Sequence, residues 1–312
     1  MLEYFLFILG FIILIKCVNY LVDGSSLLAK RSGISPLIIG LTIVAIGTSL
    51  PELVISLFSI LKGNTEFVFG TILGSNISNI LLIIGLSAIV FPVVFNKSII
   101  NNEIPLGLFA SVLLFILAFG SPGYISRIDG IIMLAIFAFF VYYIYKIRKK
   151  DKKKTKVKIK QYNDFLIALM IIGGLIGLFI GGKLIVDNAL LIANNFGISD
   201  FLISATIIAI GTSLPELATA LVAIFKKKVD LAIGTIAGSN IINIFLILGL
   251  TSVISPIRIP IFAGFDMIYL IFASLILLAF IFLGKNYKLT KISGFFLLLF
   301  YILYLIIIIF RG

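Results

Sequence analysis

The sequence predicts an all-α integral membrane protein of ten transmembrane helices arranged as two inverted five-helix repeats. Three observations carry that expectation. The 312 residues are 61% hydrophobic and 12% charged, with a mean hydropathy of +1.26, which leaves too little polar side chain to cover a soluble surface. Ten apolar runs each approach the ~20 residues that cross ~30 Å of hydrocarbon. The second half of the chain also repeats the first at a constant offset of 164 residues.

The runs fall at 2–22, 34–61, 67–95, 104–121, 128–147, 164–187, 198–225, 230–256, 266–284 and 290–310. They are expected to be helices, because lipid offers no partner to an exposed backbone N–H or C=O. The first begins Met1-Leu2-Glu3 without a basic leader, and no small-residue cleavage site precedes the loop expected at Asp23 and Gly24. It is therefore taken as the first span rather than a signal peptide. The domains follow as residues 1–148, a basic loop at 149–163, and residues 164–312.

Composition excludes whole classes of chemistry. The chain has no histidine and one cysteine, Cys17, so histidine acid/base catalysis, thiolate or imidazole metal centres and internal disulfides are out of reach. No nucleophile or metal-water arrangement is apparent, and an enzyme is not expected. A net charge of +12 suggests nucleic acid in a soluble protein, but here the basic residues lie between apolar runs, where they set topology. If residues 146–160 are cytoplasmic, that side gathers 19 lysines and arginines against four, Lys62, Arg127, Arg258 and Arg311, on the other. Lys16 and Lys183 lie within runs and can snorkel. The expectation is a multi-pass cell-membrane protein with both termini outside and the central loop cytoplasmic. The bilayer is its implied partner, with no nucleic acid and no protein partner. The lysine-rich loop is read as a solvated linker, with contact to anionic lipid or a regulatory tether as the alternatives.

The repeat is close. Ala45-Ile46-Gly47-Thr48-Ser49-Leu50-Pro51-Glu52-Leu53 returns unchanged at Ala209 to Leu217. Gly74-Ser75-Asn76-Ile77 returns at Gly238 to Ile241, and Asn79-Ile80 at Asn243-Ile244. Five spans per copy is an odd number, so the second copy must enter the membrane from the opposite side. A pseudo-two-fold axis in the membrane plane results, the architecture of inverted-repeat transporters.

Pro51 and Pro215 remove an N–H and crowd the carbonyls of Gly47 and Gly211, so both helices should break there. Carbonyls freed in hydrocarbon persist only where they face a protein cavity or an ion. One proline would suggest a simple kink, but two identical ones beside Thr-Ser and Glu point to a site. Glu52 and Glu216 are the only acids expected deep in spans, where each ionised group costs ~2.5–3.5 kcal/mol. Asp23, Glu66, Asp129, Asp187, Asp230 and the rest are placed at ends or in loops. No deep basic partner is evident, and a bound cation answers the charge best. Oxygen ligands without His or Cys select a hard cation. Two bidentate glutamates with two freed carbonyls reach the lower end of the ~6–8 ligands that calcium takes. Ser75 and Asn79, four residues apart on one helix face, and their mates Ser239 and Asn243 suit monovalent ions nearby. Ordinary interhelical hydrogen bonding is the alternative for these four. Close packing is the expected role of Gly70, Gly74, Gly234 and Gly238.

At these motifs the sequence resembles the sodium/calcium exchanger family of the cation/calcium exchanger superfamily, over the whole chain. The resemblance implies calcium bound by Glu52, Glu216 and the carbonyls of Thr48 and Thr212. It implies sodium at Ala45, Ser49, Ser75, Asn79 and Glu52, and at Ala209, Ser213, Ser239, Asn243 and Glu216. No cofactor is implied; calcium and sodium are the transported ions, exchanged by alternating access, with three sodium per calcium. Some relatives carry aspartate at the position of Asn243, so calcium/proton and potassium-dependent sodium/calcium exchange are kept as alternatives. A passive cation channel is the competitor from another class.

Overall fold

The computed structural model describes residues 2–120, 123–151, 163–195, 211 and 213–311. Within them the chain is helical apart from four two-residue strands. Eight helices are long and apolar enough to cross a membrane, and a bent pair makes a ninth. In chain order they are α1 (Leu2–Ser32), the bent pair α2 (Pro36–Thr48) and α3 (Leu50–Leu61), α4 (Thr65–Val90), α5 (Ile99–Gly120), α6 (Arg127–Asp151) and α7 (Asp164–Asn195). The shorter α8 (Leu214–Phe225) then precedes α9 (Val229–Ile254), α10 (Ala263–Leu283) and α11 (Lys291–Arg311). The expected span at 198–225 lies partly outside the described residues, as do residues 152–162 of the central loop.

Two boundaries differ from expectation. Asp23 and Gly24 form no loop: α1 runs through them to Ser32, and α7 likewise runs through Asp187 to Asn195. Both helices outreach the ~20 residues of a span, so their aspartates sit on helix flanks instead of in turns. Asp23 uses that position to accept from Lys226 and Lys228, each at 2.8 Å. Asp187 pairs with Lys183 one turn back on its own helix, at 3.1 Å.

α4 and α9 form the centre. Of their apolar windows 78% and 89% is buried, against 22–39% for the other six long spans. They need no polar outer face because helices surround them, whereas α1, α5, α6, α7, α10 and α11 present Ile, Leu and Phe outward. α1 lies along α7 through glycines: a Cβ on Gly10 would stand 3.0 Å from the Gly181 carbonyl, and one on Gly174 2.9 Å from Leu21 Cβ. Small residues allow such backbone approach where lipid gives no hydrophobic drive to associate.

Contacts recur in pairs under the 164-residue offset. β1 (Val93–Val94) pairs with β4 (Lys288–Leu289), and β2 (Tyr124–Ile125) with β3 (Ile257–Arg258). The pair Val93 with Leu289 becomes Ile257 with Ile125 when the halves are exchanged, and both pairs are present. Gly85 similarly approaches the Gly294 carbonyl (3.1 Å for an added Cβ), and Gly249 that of Gly130 (3.3 Å). Gly234 and Gly238 meet the expectation of close packing, against the Leu37 carbonyl and Ala45 Cβ; Gly70 and Gly74 face no described atom within 4 Å.

Adjacent glycines on α7 provide a test. Gly173 is exposed with nothing described within 4 Å, while Gly174 is pressed on α1. Gly174→Ala is expected to lower stability by about 1–3 kcal/mol through overpacking, whereas Gly173→Ala should be neutral or gain up to ~1 kcal/mol of helix propensity. Thermal unfolding of the two variants in detergent checks the contrast.

Candidate cation-binding site

The site is built around a helix break at Ser49 and its counterpart in the other half, the start of α8 at Ser213. α2 ends at Thr48, Ser49 departs from helical geometry (φ −84°, ψ 4°), and α3 leaves at 42° to α2. Ser213 has nearly the same conformation (φ −88°, ψ 2°) where α8 begins. The described break thus falls at Ser49, two residues before Pro51, rather than at the glycine expected, and Ser213 has the matching conformation before Pro215. Pro51 and Pro215 occupy the opening turns of α3 and α8, where a missing N–H has no helical partner to lose. Ser49 N–H still reaches the Ala45 carbonyl at 3.0 Å, and the ladder resumes from Leu53 N–H to the Ser49 carbonyl at 3.1 Å. Gly47 receives no N–H from Pro51, and the Thr48 carbonyl belongs to a helix end.

Glu52 and Glu216, in the first turns of α3 and α8, are fully buried. Their charges are close enough to interact. Helix starts favour negative groups, but each carboxylate is only half satisfied. Glu52 Oε1 accepts from Ser75 Oγ at 3.4 Å and Glu216 Oε1 from Ser49 Oγ at 3.4 Å, while both Oε2 atoms lack a partner among the described residues. Thr48 and Ser239 hydroxyls, 3.5 Å apart, also lie beside Glu216. No lysine or arginine bonds to either carboxylate among the described residues.

A lattice of four asparagines joins the halves beneath this pair. Asn79 Nδ2 donates to Asn240 Oδ1 at 2.9 Å, and its counterpart Asn243 Nδ2 donates to Asn76 Oδ1 at 3.0 Å and to Ser75 Oγ at 3.2 Å. Asn76 Nδ2 further donates to the Asn240 carbonyl at 3.2 Å. With their donors engaged, Asn79 Oδ1 and Asn243 Oδ1 are left buried and without a partner among the described residues, as is Ser213 Oγ. Runs of π-helix open at Asn79 and at Ile242, a local widening that recurs at functional sites.

Ala45, Thr48, Ser49, Ser75, Asn79, Ser213, Ser239 and Asn243 are all buried, and the contacts above link Thr48, Ser49, Ser75, Ser239, Asn79 and Asn243 to a glutamate or to the lattice, while the Ser213 hydroxyl makes no hydrogen bond among the described residues. Ala209 and Thr212 lie outside the described residues. Asn76 and Asn240 were not singled out as site residues; their repetition at the 164-residue offset was the signal available. Glu103, expected at a span end, is buried near the start of α5.

Chemically, the cluster offers unshared oxygens and a formal charge of −2. Among the described residues no three His, Cys, Asp or Glu side chains group as a metal site, so any ion here relies on two carboxylates with hydroxyl, amide and carbonyl oxygens, a hard-cation set. A cavity of about 240 Å³ between α3, α7 and the start of α8 touches both prolines and is rimmed by Lys183 and Asp187.

Comparison with known proteins agrees with this chemistry. The sequence model of one family, described as sodium/calcium exchanger protein, matches residues 2–146 and 166–310. The chain is 38% identical over 260 residues to the inner membrane protein YrbG of Escherichia coli (strain K12), covering 80% of this chain and 79% of that one. It is 30% identical over 345 residues to the sodium/calcium exchanger MaX1 of Methanosarcina acetivorans, covering 98% of each. Solved structures of the sodium-calcium exchanger NCX_Mj, among them one soaked with Na+ and Sr2+, superpose with a TM-score of 0.83 at 32% identity over 97% of both chains.

Proposed function

The chain belongs to the sodium/calcium exchanger family, a family of transporters and not of enzymes, and we propose that it is a secondary antiporter moving calcium against sodium by alternating access. The observation that carries this is the pair of fully buried glutamates with unpartnered Oε2 atoms, surrounded by further lone oxygens from Asn79, Asn243 and Ser213. Calcium takes both carboxylates with the Thr48 and Thr212 carbonyls. Sodium takes positions formed by Ala45, Ser49, Ser75 and Asn79 with Glu52, and by Ala209, Ser213, Ser239 and Asn243 with Glu216. Asn243 acts as a neutral donor to Asn76 and Ser75, a part that an aspartate at that position could not play.

The transport geometry follows from the ten spans in two inverted repeats that the sequence predicts. The exchanged strand registers and glycine contacts support a two-fold relation, and the odd span count sets its axis in the membrane plane. With the lysine-rich loop cytoplasmic, the cavity at Pro51 and Pro215 opens outward and the Asp23 pairs with Lys226 and Lys228 close the inner side.

Charge arithmetic gives the coupling. One calcium or two sodium ions neutralise the two carboxylates, and a third sodium leaves the site at +1. Exchange of three sodium for one calcium is therefore electrogenic, and each net charge is worth ~2.3 kcal/mol per 100 mV. In sodium-loaded proteoliposomes, an outward sodium gradient is expected to concentrate calcium inside, faster when the interior is held positive. Calcium that only equilibrates identifies a channel, and uptake indifferent to potential excludes three-for-one coupling.

The Asp23 clamp tests alternation itself. Lys62 and Asp187 stand at the counterparts of Lys226 and Asp23, yet here Lys62 makes no ion pair among the described residues and Asp187 turns to Lys183. In the opposite-facing state Lys62 and Asp187 are expected to meet while Asp23 is released. On a Cys17→Ser background, the pairs Lys62→Cys with Asp187→Cys and Asp23→Cys with Lys226→Cys should cross-link in opposite proportion as ion conditions shift the two states. Yields that rise and fall together would contradict the swap.

A further inference from the structure

Outside the central pair, Glu103 is the carboxylate with a buried, unpartnered oxygen among the described residues. It closes the π-helical opening of α5 (Ile99–Glu103) and is 2% exposed. It lines a cavity of about 40 Å³ walled by α4, α5, α9 and α10, in which its polar neighbours are Asn240 and Ser274. That volume exceeds the ~10–15 Å³ one water requires. Asn240 is also the lattice amide that holds Asn79 through Oδ1 and Asn76 through its carbonyl. The cavity therefore leads from Glu103 to the asparagines under the ion site, while no hydrogen bond joins Glu103 to Glu52 or Glu216 among the described residues.

The charged surroundings are sparse. From α6, Tyr143 comes close enough for its hydroxyl to feel the Glu103 charge, and that hydroxyl too is buried without a partner. The walls from α4, α9 and α10 bring no titratable side chain, and neither lysine nor arginine lines the cavity. Asp230, at the start of α9, is engaged by Asn96, and Asp266 lies at the opposite end of α10, two residues after Gly264, which faces Phe119.

The other half has no such cavity chemistry. At the offset of 164, Met267 replaces Glu103, Ile271 replaces Gly107, Leu73 replaces Ala237 and Ala110 replaces Ser274. Each exchange removes a polar group or fills space, although the ion-site residues on both sides are identical. The acid and its cavity are a one-sided addition to a two-fold site.

We propose that Glu103 is a proton-binding site separate from the ion site, which adjusts the exchange rate through Asn240 from the side of the membrane that bears Lys97. Ionised, the carboxylate accepts from water in the cavity and through it from the Asn240 amide, steadying the lattice. One proton, taken up to give the neutral acid, removes that acceptor and slows exchange without changing the charge of the Glu52 and Glu216 pair. The inference rests on the exchange activity proposed above.

The test is the maximal rate at saturating sodium and calcium, where proton competition at the ion site is suppressed, as pH on the Lys97 side is lowered from roughly 8 to 6. The parent protein is expected to slow by about threefold or more, Glu103→Asp to keep a pH dependence, and Glu103→Gln to run at one slow rate throughout. If the glutamine variant does not insert, Glu103→Met, the residue of the other half, serves the same purpose. A parent-like pH profile in Glu103→Gln or Glu103→Met would overturn the proposal, as would a parent rate that does not change with pH. Absence of exchange at every pH in the parent would instead defeat the functional reading on which it rests.

Discussion

The structure depends on one electrostatic constraint: two carboxylates are buried among apolar helices with no basic side chain to answer them. In a low-dielectric interior a charge must be paired or neutralised, and among the described residues the side chains that bond Glu52 and Glu216 are hydroxyls. In the proposed function the remaining balance comes from cations that can leave. A lysine in this position would satisfy the carboxylates permanently and end any exchange, whereas mobile cations satisfy them one set at a time.

The surrounding polar groups hold that pair without adding charge. Asn76, Asn79 and Asn243 donate across the halves through Nδ2, with Asn240 accepting through its Oδ1 and carbonyl, which leaves the Oδ1 atoms of Asn79 and Asn243 buried without a partner among the described residues. Broken helices place Glu52 and Glu216 at positive helix starts and release carbonyls at the prolines. Around this polar core α4 and α9 are almost wholly buried, and glycines bring α1 against α7 and α2 against α9. Lipid faces the outer helices, so the cost of the polar interior is confined to the place where ions can offset it.

Much of this was legible in the sequence because the signals are discrete. The duplicated motif, the two prolines and the absence of histidine led to a two-carboxylate, oxygen-only site, and eight long apolar helices with one bent pair fall on the expected runs. What escaped depended on distance and direction. Hydropathy drops at Asp23 and Asp187, which resembles a loop, yet an overlong helix carries both. The break sits at Ser49 because proline disturbs the turn before it, and pattern alone does not say which residue absorbs the change. Asn76 and Asn240 recur within the duplicated motif, but only their bonds across the halves mark them as part of the site. Glu103 begins an apolar run, and only folding covers it.

The most direct measurement of the central claim is equilibrium binding of radioactive calcium to the purified protein, titrated against sodium. A shared two-carboxylate site predicts one calcium per chain, displaced by sodium with a dependence steeper than one-for-one, and loss of that calcium in Glu52→Gln and in Glu216→Gln alike while both variants remain folded. Calcium binding that survives either substitution at parental affinity, or that sodium does not displace, would contradict the account.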